Sequence, residues 1–331
     1  MPDVSECSDG YVPLPRKGPS PFASVDPGIT AVLPEGSRIV DVAPHGESFW
    51  TQTARLVIKL ADGTERLYFL KVALGEHGMR MMNGEFKSMT ALDIAEELPE
   101  IASFTPSAAQ LHQSAQSPNG KYGFPVTTYI GPLPQDNSWC DTWEEYFTQG
   151  MRRMLESERN VQGLSEELDG LAVKLYEKAI PRLLRPLATL RSIRPALIPG
   201  DLWYGNCCTD VATGNPIVFD ACAFWAHNEY EIGTWRQMRY RVGEPYIKAY
   251  QDNFPASAPG EDHDGRSALH PIRFDIHSSA AYSSSTWFRR DFMTTMKLLI
   301  DKHPRGYEEW EKWNADLIAA AHKQGQELQL E

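Results

Sequence analysis

The chain lacks any pair of cysteines spaced for a metal or a redox centre. Its five cysteines, Cys7, Cys140, Cys207, Cys208 and Cys222, are odd in number and include no Cys-x-x-Cys. A disulfide framework is therefore not expected, and reduced thiols in a cytoplasmic protein are. Adjacent Cys207 and Cys208 face apart in extended chain and cannot bridge each other without strain. No apolar run approaches the roughly 20 residues a membrane-spanning helix needs. The opening Met1-Pro2-Asp3-Val4-Ser5-Glu6 has neither the apolar centre of a signal peptide nor the Arg-rich character of a transit peptide. Basic residues are also short. The 32 Lys and Arg stand against 44 Asp and Glu, a net charge of −12 that argues against a nucleic-acid partner, which would need clustered cations to displace counterions. Internal repeats and low-complexity tracts are absent. What is present, 42% hydrophobic and 23% charged residues over 331 positions, is the composition of a soluble globular enzyme long enough for two lobes.

Residues 1–35, rich in Pro, Ser and Gly, read as a loosely ordered lead-in. From residue 36 the pattern changes. Strands are predicted at 38–42, 53–60 and 66–72, the last two joined at Asp62-Gly63, a dipeptide that accepts the positive φ of a tight hairpin. Met79, Met82, Phe86, Met89 and Leu92 recur at helical spacing and predict a helix over 79–98, closed by Pro99. Two more strands are expected near 108–112 and 124–129. Gly131-Pro132-Leu133-Pro134 reads as a linker, and the remainder as mainly helical: 143–158, 168–190, 234–253, 284–302 and a final helix from 307, with a polar loop over 254–270. The expectation is an α/β (α+β) chain with a small antiparallel-sheet lobe over 36–130 and a mainly helical lobe over 131–331.

The chemistry concentrates in residues 200–220. Gly200-Asp201-Leu202-Trp203-Tyr204-Gly205-Asn206 comes after an extended, proline-containing step, and places an Asn five residues after an Asp. In kinase-like enzymes an Asp at this spacing orients and deprotonates the attacking hydroxyl, and the Asn offers a carbonyl oxygen to Mg²⁺. Past a turn at Thr213-Gly214-Asn215-Pro216, the strand Ile217-Val218-Phe219 delivers Asp220, a second metal ligand. A lone Gly-Asp-Leu is commonplace, but the whole constellation, an apolar step, the Asp-x₄-Asn pair, a hairpin and a strand ending in Asp, is rarer. The sheet lobe adds Lys71, a charge inside the apolar run Phe69-Leu70-Lys71-Val72, which calls for a partner. Glu85 on the next helix is one candidate and Glu76 a rival; an edge-strand Lys facing solvent is the plain alternative. Together Lys71 and Glu85 would fix the α- and β-phosphates of ATP. The loop Pro44-His45-Gly46-Glu47-Ser48-Phe49-Trp50 holds one glycine, and reads equally as a phosphate-approaching loop around Gly46 and Ser48 or as an ordinary hairpin turn. Asp262-His263-Asp264 reads as loop polarity rather than a metal site, and Arg289-Arg290-Asp291 as a solvated or packing face.

With Phe219-Asp220-Ala221-Cys222-Ala223-Phe224-Trp225-Ala226-His227-Asn228-Glu229-Tyr230-Glu231 added, the segment resembles the fructosamine/ketosamine (protein-ribulosamine) kinase family, in its fungal form, a branch of the protein-kinase-like superfamily. The resemblance implies a two-lobed protein-kinase-like fold and ATP- and Mg²⁺-dependent phosphorylation of a sugar hydroxyl, the 3-OH, on a small-molecule or protein-bound fructosamine or ribulosamine. That chemistry would serve protein deglycation, in a monomer or weak dimer with no membrane or nucleic-acid partner. It matches Asp201 to the catalytic base, Asn206 and Asp220 to the metal ligands, Lys71 and Glu85 to the nucleotide pair, and His227 and Glu229 to a segment near the substrate. Trp203 and Trp225 would stack on the sugar or belong to the core. Pro199 stands where the family usually has a His that braces the catalytic loop, and Ala221-Cys222 where it has Pro-Ala. Related aminoglycoside- or choline-type kinases, and a binding module that keeps the fold without turnover, are the alternative readings.

Overall fold

The computed structural model describes residues 25–46, 48, 50–95, 104–210 and 213–327. Most of the expected lead-in lies outside the described residues; within it, helix α1 (Pro27–Val32) is capped by Asp26, whose carboxylate accepts the Gly28 N–H at 2.7 Å. The chain divides into two compact units, Met1–Asn83 and Gly84–Glu331.

The smaller unit is a three-stranded antiparallel sheet in the order β1 (Arg38–Pro44), β2 (Gln52–Lys59), β3 (Glu65–Val72). The β2–β3 hairpin runs unbroken from Gln52↔Val72 to Lys59↔Glu65. At its turn the Asp62 carboxylate accepts both the N–H and the hydroxyl of Thr64, at 2.9 and 2.6 Å, which fixes the reversal the Asp-Gly pair predicts. Ala54, Leu56, Val57 and Ile58 on the central strand are buried. Helix α2 (Gly75–Ala95) begins in this unit and ends in the larger one.

In the larger unit two of the sequence expectations fail for identifiable reasons. Residues 108–112 belong to helix α3 (Phe104–Ser114), not to a strand. Ala108, Ala109, Leu111 and His112 are all buried, so a five-residue window carried no period to tell strand from helix. Residues 124–129 hold no long strand. Only β4 (Tyr129–Ile130) pairs, with β5 (Leu133–Pro134), so the expected linker is itself a hairpin turning at Gly131. The stretch before it is held piecewise, Tyr122 against Cys140 and Gly123 against Trp225.

Next come the helices α4 (Trp143–Gln162) and α5 (Glu166–Lys174), a π-turn at Leu175–Ala179, and α6 (Ile180–Thr189). Thr142 and Glu145 start α4 with a reciprocal capping box. The apolar faces of α4 and α6 enter one core with Phe224, Tyr230 and Ile272. The expected helix over 234–253 is interrupted. Two 3₁₀ turns precede α8 (Glu244–Asn253), because Arg241 and Gly243 take left-handed φ of 53° and 86°.

The largest departure is 254–270, read as loop. From His263 it is helix α9 (His263–Ala281), almost wholly buried. Its buried positions include Arg266, His270, Arg273, Asp275 and His277. Each finds a partner: His277 bonds the Ile130 carbonyl at 2.7 Å, and Arg273 donates to Gln135 Oε1 and the Tyr230 hydroxyl at 2.8 and 2.6 Å. A core helix built on hydrogen-bonded polar side chains shows no hydrophobic period. Helices α10 (Trp287–Lys302), α11 (Gly306–Trp313) and α12 (Ala315–Glu327) complete the unit. Arg289 on α10 is not a solvated residue: its guanidinium grips the fully buried Glu158 carboxylate through two bonds of 2.6 Å and so ties α10 to α4. Among the described residues no helix is long and apolar enough to cross a membrane.

Candidate active site

Strand β6 (Ala196–Ile198) pairs with β9 (Phe224–Ala226), and all six residues are buried. This short ladder fixes the chain leaving β6 against the chain entering β9: Cys222 N–H donates to the Pro199 carbonyl at 2.9 Å. Gly200, at φ 86°, is required here, since a Cβ would lie 2.6 Å from the Cys222 oxygen. Next come a 3₁₀ turn at Tyr204–Asn206 and the hairpin of β7 (Cys207–Thr209) and β8 (Pro216–Val218). At the hairpin's open end Phe219 N–H donates to the Asn206 carbonyl at 3.0 Å, which seats Asn206 beside Asp220.

Asp201, Asn206 and Asp220 are thus brought together. The Asn206 side-chain nitrogen donates to Asp201 Oδ2 at 3.1 Å and to the Asp201 backbone oxygen at 2.9 Å. Burial pushes the Asp201 carboxyl up to about 7; the bond from Asn206 opposes this, and the neighbouring Asp220 charge adds to it. Asp220 has a left-handed φ of 56°, a conformation that costs a non-glycine residue on the order of 1–3 kcal/mol and that clusters at working sites. The ladder on one side and the Cys222–Pro199 bond on the other hold it there.

The donor set suits a hard cation. Both hydrogens of the Asn206 amide are spent on Asp201, which leaves its carbonyl oxygen as the acceptor beside the Asp220 carboxylate. Two protein oxygens, the rest left to water and phosphate, is how Mg²⁺ is held in phosphotransferases. Among the described residues no group of three His, Cys, Asp or Glu side chains forms a rival metal site.

The loop is braced by a residue that sequence reasoning missed. Glu231, on the short helix α7 (Glu229–Gly233), is buried, and its carboxylate accepts the Gly200 N–H at 2.7 Å and the Leu202 N–H at 2.8 Å. These two bonds straddle Asp201. Trp235 adds a third tie, its indole N–H donating to the Leu202 carbonyl at 2.8 Å. The loop is thus held by Glu231 and Trp235, with Pro199 at the position where the resemblance implies a His. Burial raises the Glu231 carboxyl to about 7 despite the two N–H bonds, with the Asp201 charge contributing. Glu231→Gln should lower kcat about tenfold, because an amide can accept only one of the two N–H groups and turns its own NH₂ on the other, a loss of about 1–3 kcal/mol. Faster hydrogen exchange at Gly200 and Leu202, with KM for nucleotide little changed, would mark the effect as positioning.

Trp203 is half-buried beside Asp201, with its ring lying across Gly205, where a Cβ would meet it at 2.6 Å. Trp225 is core, 8% exposed. His227 and Glu229, expected near substrate, are at 0% and 1% exposure with their polar atoms turned into the protein. His227 Nε2 bonds the Ser257 hydroxyl at 2.9 Å, and burial drives the imidazole down to about 4, hence neutral. Glu229 accepts a two-pronged grip from Arg266 at 2.6 and 2.9 Å, and the Ser257 N–H at 2.8 Å. Burial alone would raise its carboxyl; the facing His227, His263 and Arg266 outweigh that and hold it well below the usual range. Both residues serve the scaffold.

In the smaller unit Lys71 is half-buried in β3 opposite Thr53, and Gly46 turns the chain after β1 with φ 75°. The Ser48 hydroxyl is engaged locally, 2.7 Å from Thr51 Oγ1 and accepting the Thr51 N–H at 3.3 Å. Glu47 and Phe49 of that loop lie outside the described residues. Glu76, the rival partner for Lys71, is paired with Arg80 one helical turn on. Glu85 is half-buried in the part of α2 that belongs to the larger unit. Three residues further, the Ser88 hydroxyl accepts the Ala223 N–H at 2.9 Å, which anchors α2 to the segment after Asp220.

Residues 73–285, more than half of the chain, match the family described as fructosamine kinase. A ketosamine-3-kinase of Mus musculus is 37% identical over 144 residues, 42% of this chain and 42% of that protein, so the chain spans less than half of that relative's length. A chloroplastic protein-ribulosamine 3-kinase of Arabidopsis thaliana is 26% identical over 290 residues, 81% of this chain and 84% of its own. The crystal structure of a Thermobifida fusca protein, provisionally described as a fructosamine-3-kinase, superposes with a TM-score of 0.60 at 22% identity, over 84% of this chain and 99% of that one. At that identity the superposition establishes the fold, which is protein-kinase-like.

Proposed function

The chain belongs to the fructosamine kinase family, and from that premise we propose that it is an ATP-dependent ketosamine kinase that phosphorylates the sugar 3-hydroxyl of a fructosamine or ribulosamine. The observation that carries the reading is the convergence of Asp201, Asn206 and Asp220 at the open end of one hairpin, with the Asp201 carboxyl at about 7. A base whose pKa lies near the working pH is both ionised and able to take a proton.

In this mechanism the acceptor hydroxyl lies against Asp201, which Asn206 holds by Oδ2 so that Oδ1 faces the proton to be taken. The hydroxyl oxygen forms its bond to the γ-phosphorus as the bond from that phosphorus to the β-γ bridging oxygen breaks; the proton passes to Asp201 and ADP leaves. Asn206 and Asp220 would hold Mg²⁺, which would neutralise phosphate charge when bound. Lys71 would contact the α- and β-phosphates of ATP, with the backbone around Gly46 and Ser48 as further candidates in the same unit. Four described cysteines, Cys140, Cys207, Cys208 and Cys222, are free thiols, which supports a cytoplasmic setting.

The test is direct. Incubated with ATP, Mg²⁺ and a fructosamine or ribulosamine, the protein should release ADP in step with a mass gain of one phosphoryl group on the sugar. Recovery of both ketoamines unmodified, while ATP is bound, would sink the reading.

A further inference from the structure

The left-handed turn at Asp220 leads into a buried segment, Ala221 to Ala223, whose backbone is claimed by side chains. The Cys222 carbonyl accepts two of them, the Gln135 amide at 3.1 Å and the Thr128 hydroxyl at 3.3 Å. Thr128 and Gln135 flank the β4–β5 hairpin and are themselves buried. The direction of each donor is forced. Gln135 Oε1 accepts Arg273 Nη2 at 2.8 Å, and a guanidinium can only donate, so the Gln135 NH₂ must turn towards Cys222 and Thr128. The Thr128 oxygen accepts the Gln135 and Asn137 amides at 3.0 and 2.8 Å, which leaves its own proton for the Cys222 carbonyl. Asn137 is turned in the same sense by the Tyr146 hydroxyl, which donates to its Oδ1 at 2.7 Å.

Behind this chain of donors stands Arg273, 2% exposed. Arg266, Arg239 and Arg289 each hold a carboxylate, on Glu229, Asp275 and Glu158. Arg273 pairs with none among the described residues; its partners are the Gln135 amide oxygen and the Tyr230 hydroxyl, with the Phe224 and Tyr230 rings at 5.7 and 5.6 Å. A buried cation without a counter-ion is costly to a fold, so stability alone does not account for it. What the fork joins does. Nη2 reaches, through Gln135, the segment behind Asp220. Nη1 donates at 2.6 Å to Tyr230, the neighbour on α7 of the Glu231 that holds Gly200 and Leu202.

Resting on the reading of Asn206 and Asp220 as metal ligands, we propose that Gln135 is a positioning residue for Asp220, and that Arg273, acting through Gln135 and Tyr230, keeps metal ligand and catalytic base in one register. Two donors drawing the Cys222 carbonyl inward hold the peptide that follows Asp220, and with it the strained φ that aims the carboxylate.

The probe is Mn²⁺, its binding measured by electron paramagnetic resonance with a non-hydrolysable ATP analogue present, so that no acceptor is needed. Gln135→Glu keeps an oxygen for Arg273 and gives that cation a counter-charge, so Tm should hold at or above the wild type. It also removes the donor to Cys222 and sets one oxygen against another. The Mn²⁺ dissociation constant should therefore rise about tenfold, the worth of one such hydrogen bond, with faster hydrogen exchange at Cys222 and Ala223. A merely structural role predicts instead that metal affinity follows Tm. Should Gln135→Glu fail to fold, Thr128→Val and Thr128→Ser carry the comparison: the first, which lacks the hydroxyl, should weaken Mn²⁺ binding and the second should not. Wild-type Mn²⁺ affinity in folded Gln135→Glu, or failing that in Thr128→Val, overturns the brace and leaves the metal site standing. No Mn²⁺ binding by the wild type with nucleotide overturns both.

Discussion

Asp201→Asn should reduce ATP-dependent phosphorylation by about 10²–10⁴-fold, the usual worth of a positioned general base, without unfolding the protein. The substitution keeps the shape and can keep an oxygen for the Asn206 amide, so the loop between Gly200 and Leu202, held by Glu231, has no reason to move. The pH profile separates this from a loss of structure. In the wild type the Asp201 carboxyl sits at about 7, so kcat should fall as pH drops through 7 and the base is protonated. The residual rate of the variant should lack that limb. Stability should move the other way. A half-buried, desolvated carboxyl whose folded pKa lies above its unfolded value of 3.8 weakens the fold as pH rises past that value, and the full cost is reached only above about 7. Asp201→Asn should therefore melt at or above the wild type at pH 8, and lose that advantage at pH 4. A variant with wild-type turnover would remove Asp201 from the chemistry.

Much of this site was legible because its geometry is local. The Asp-x₄-Asn spacing, the turn at Thr213–Pro216 and the strand into Asp220 are contiguous, and one hairpin register is enough to bring their ends together. The sheet of the smaller unit was legible for the same reason, Asp62-Gly63 fixing its longest hairpin. What escaped depends on contacts far apart in sequence. Glu231 acts on backbone N–H groups, which carry no residue identity, so nothing in the chain around position 200 announces it. Helix α9 hid because Arg266, His270, Arg273, Asp275 and His277 fill its buried positions, and their partners lie on α4, α7, residues 237–239 and residues 130–135. His227 and Glu229 misled for the converse reason. Polar residues in a row after a candidate metal-ligating Asp suggest a site, yet each is hydrogen-bonded to the 257–266 segment that the sequence presents as loop.

Glu229→Ala should accordingly act on stability before activity. Arg266 is at 0% exposure, with Nε and Nη2 on Glu229, Nη2 also on the Ser257 carbonyl at 2.7 Å and Nη1 on the Pro259 carbonyl at 3.0 Å. Deleting the carboxylate strands a buried cation and the Ser257 N–H, a loss of about 3–5 kcal/mol, or on the order of 10 °C in Tm for a unit of this size. If Glu229 instead gripped substrate, Tm would hold and KM would rise, so thermal unfolding beside steady-state kinetics separates the two roles. The double variant Glu229→Leu/Arg266→Met sharpens the test. With the charge removed together with its partner, most of the electrostatic loss should return, and the cycle should show strong coupling between the two positions. Recovery should stay incomplete, because the Ser257 N–H lacks its acceptor in both variants and in the double variant the carbonyls of Ser257 and Pro259 also lose their donor. That residue of the cost measures what Arg266 does beyond neutralising Glu229: it pins the segment ahead of α9, and through Glu229 it pins α7, the helix from which Glu231 reaches the catalytic loop.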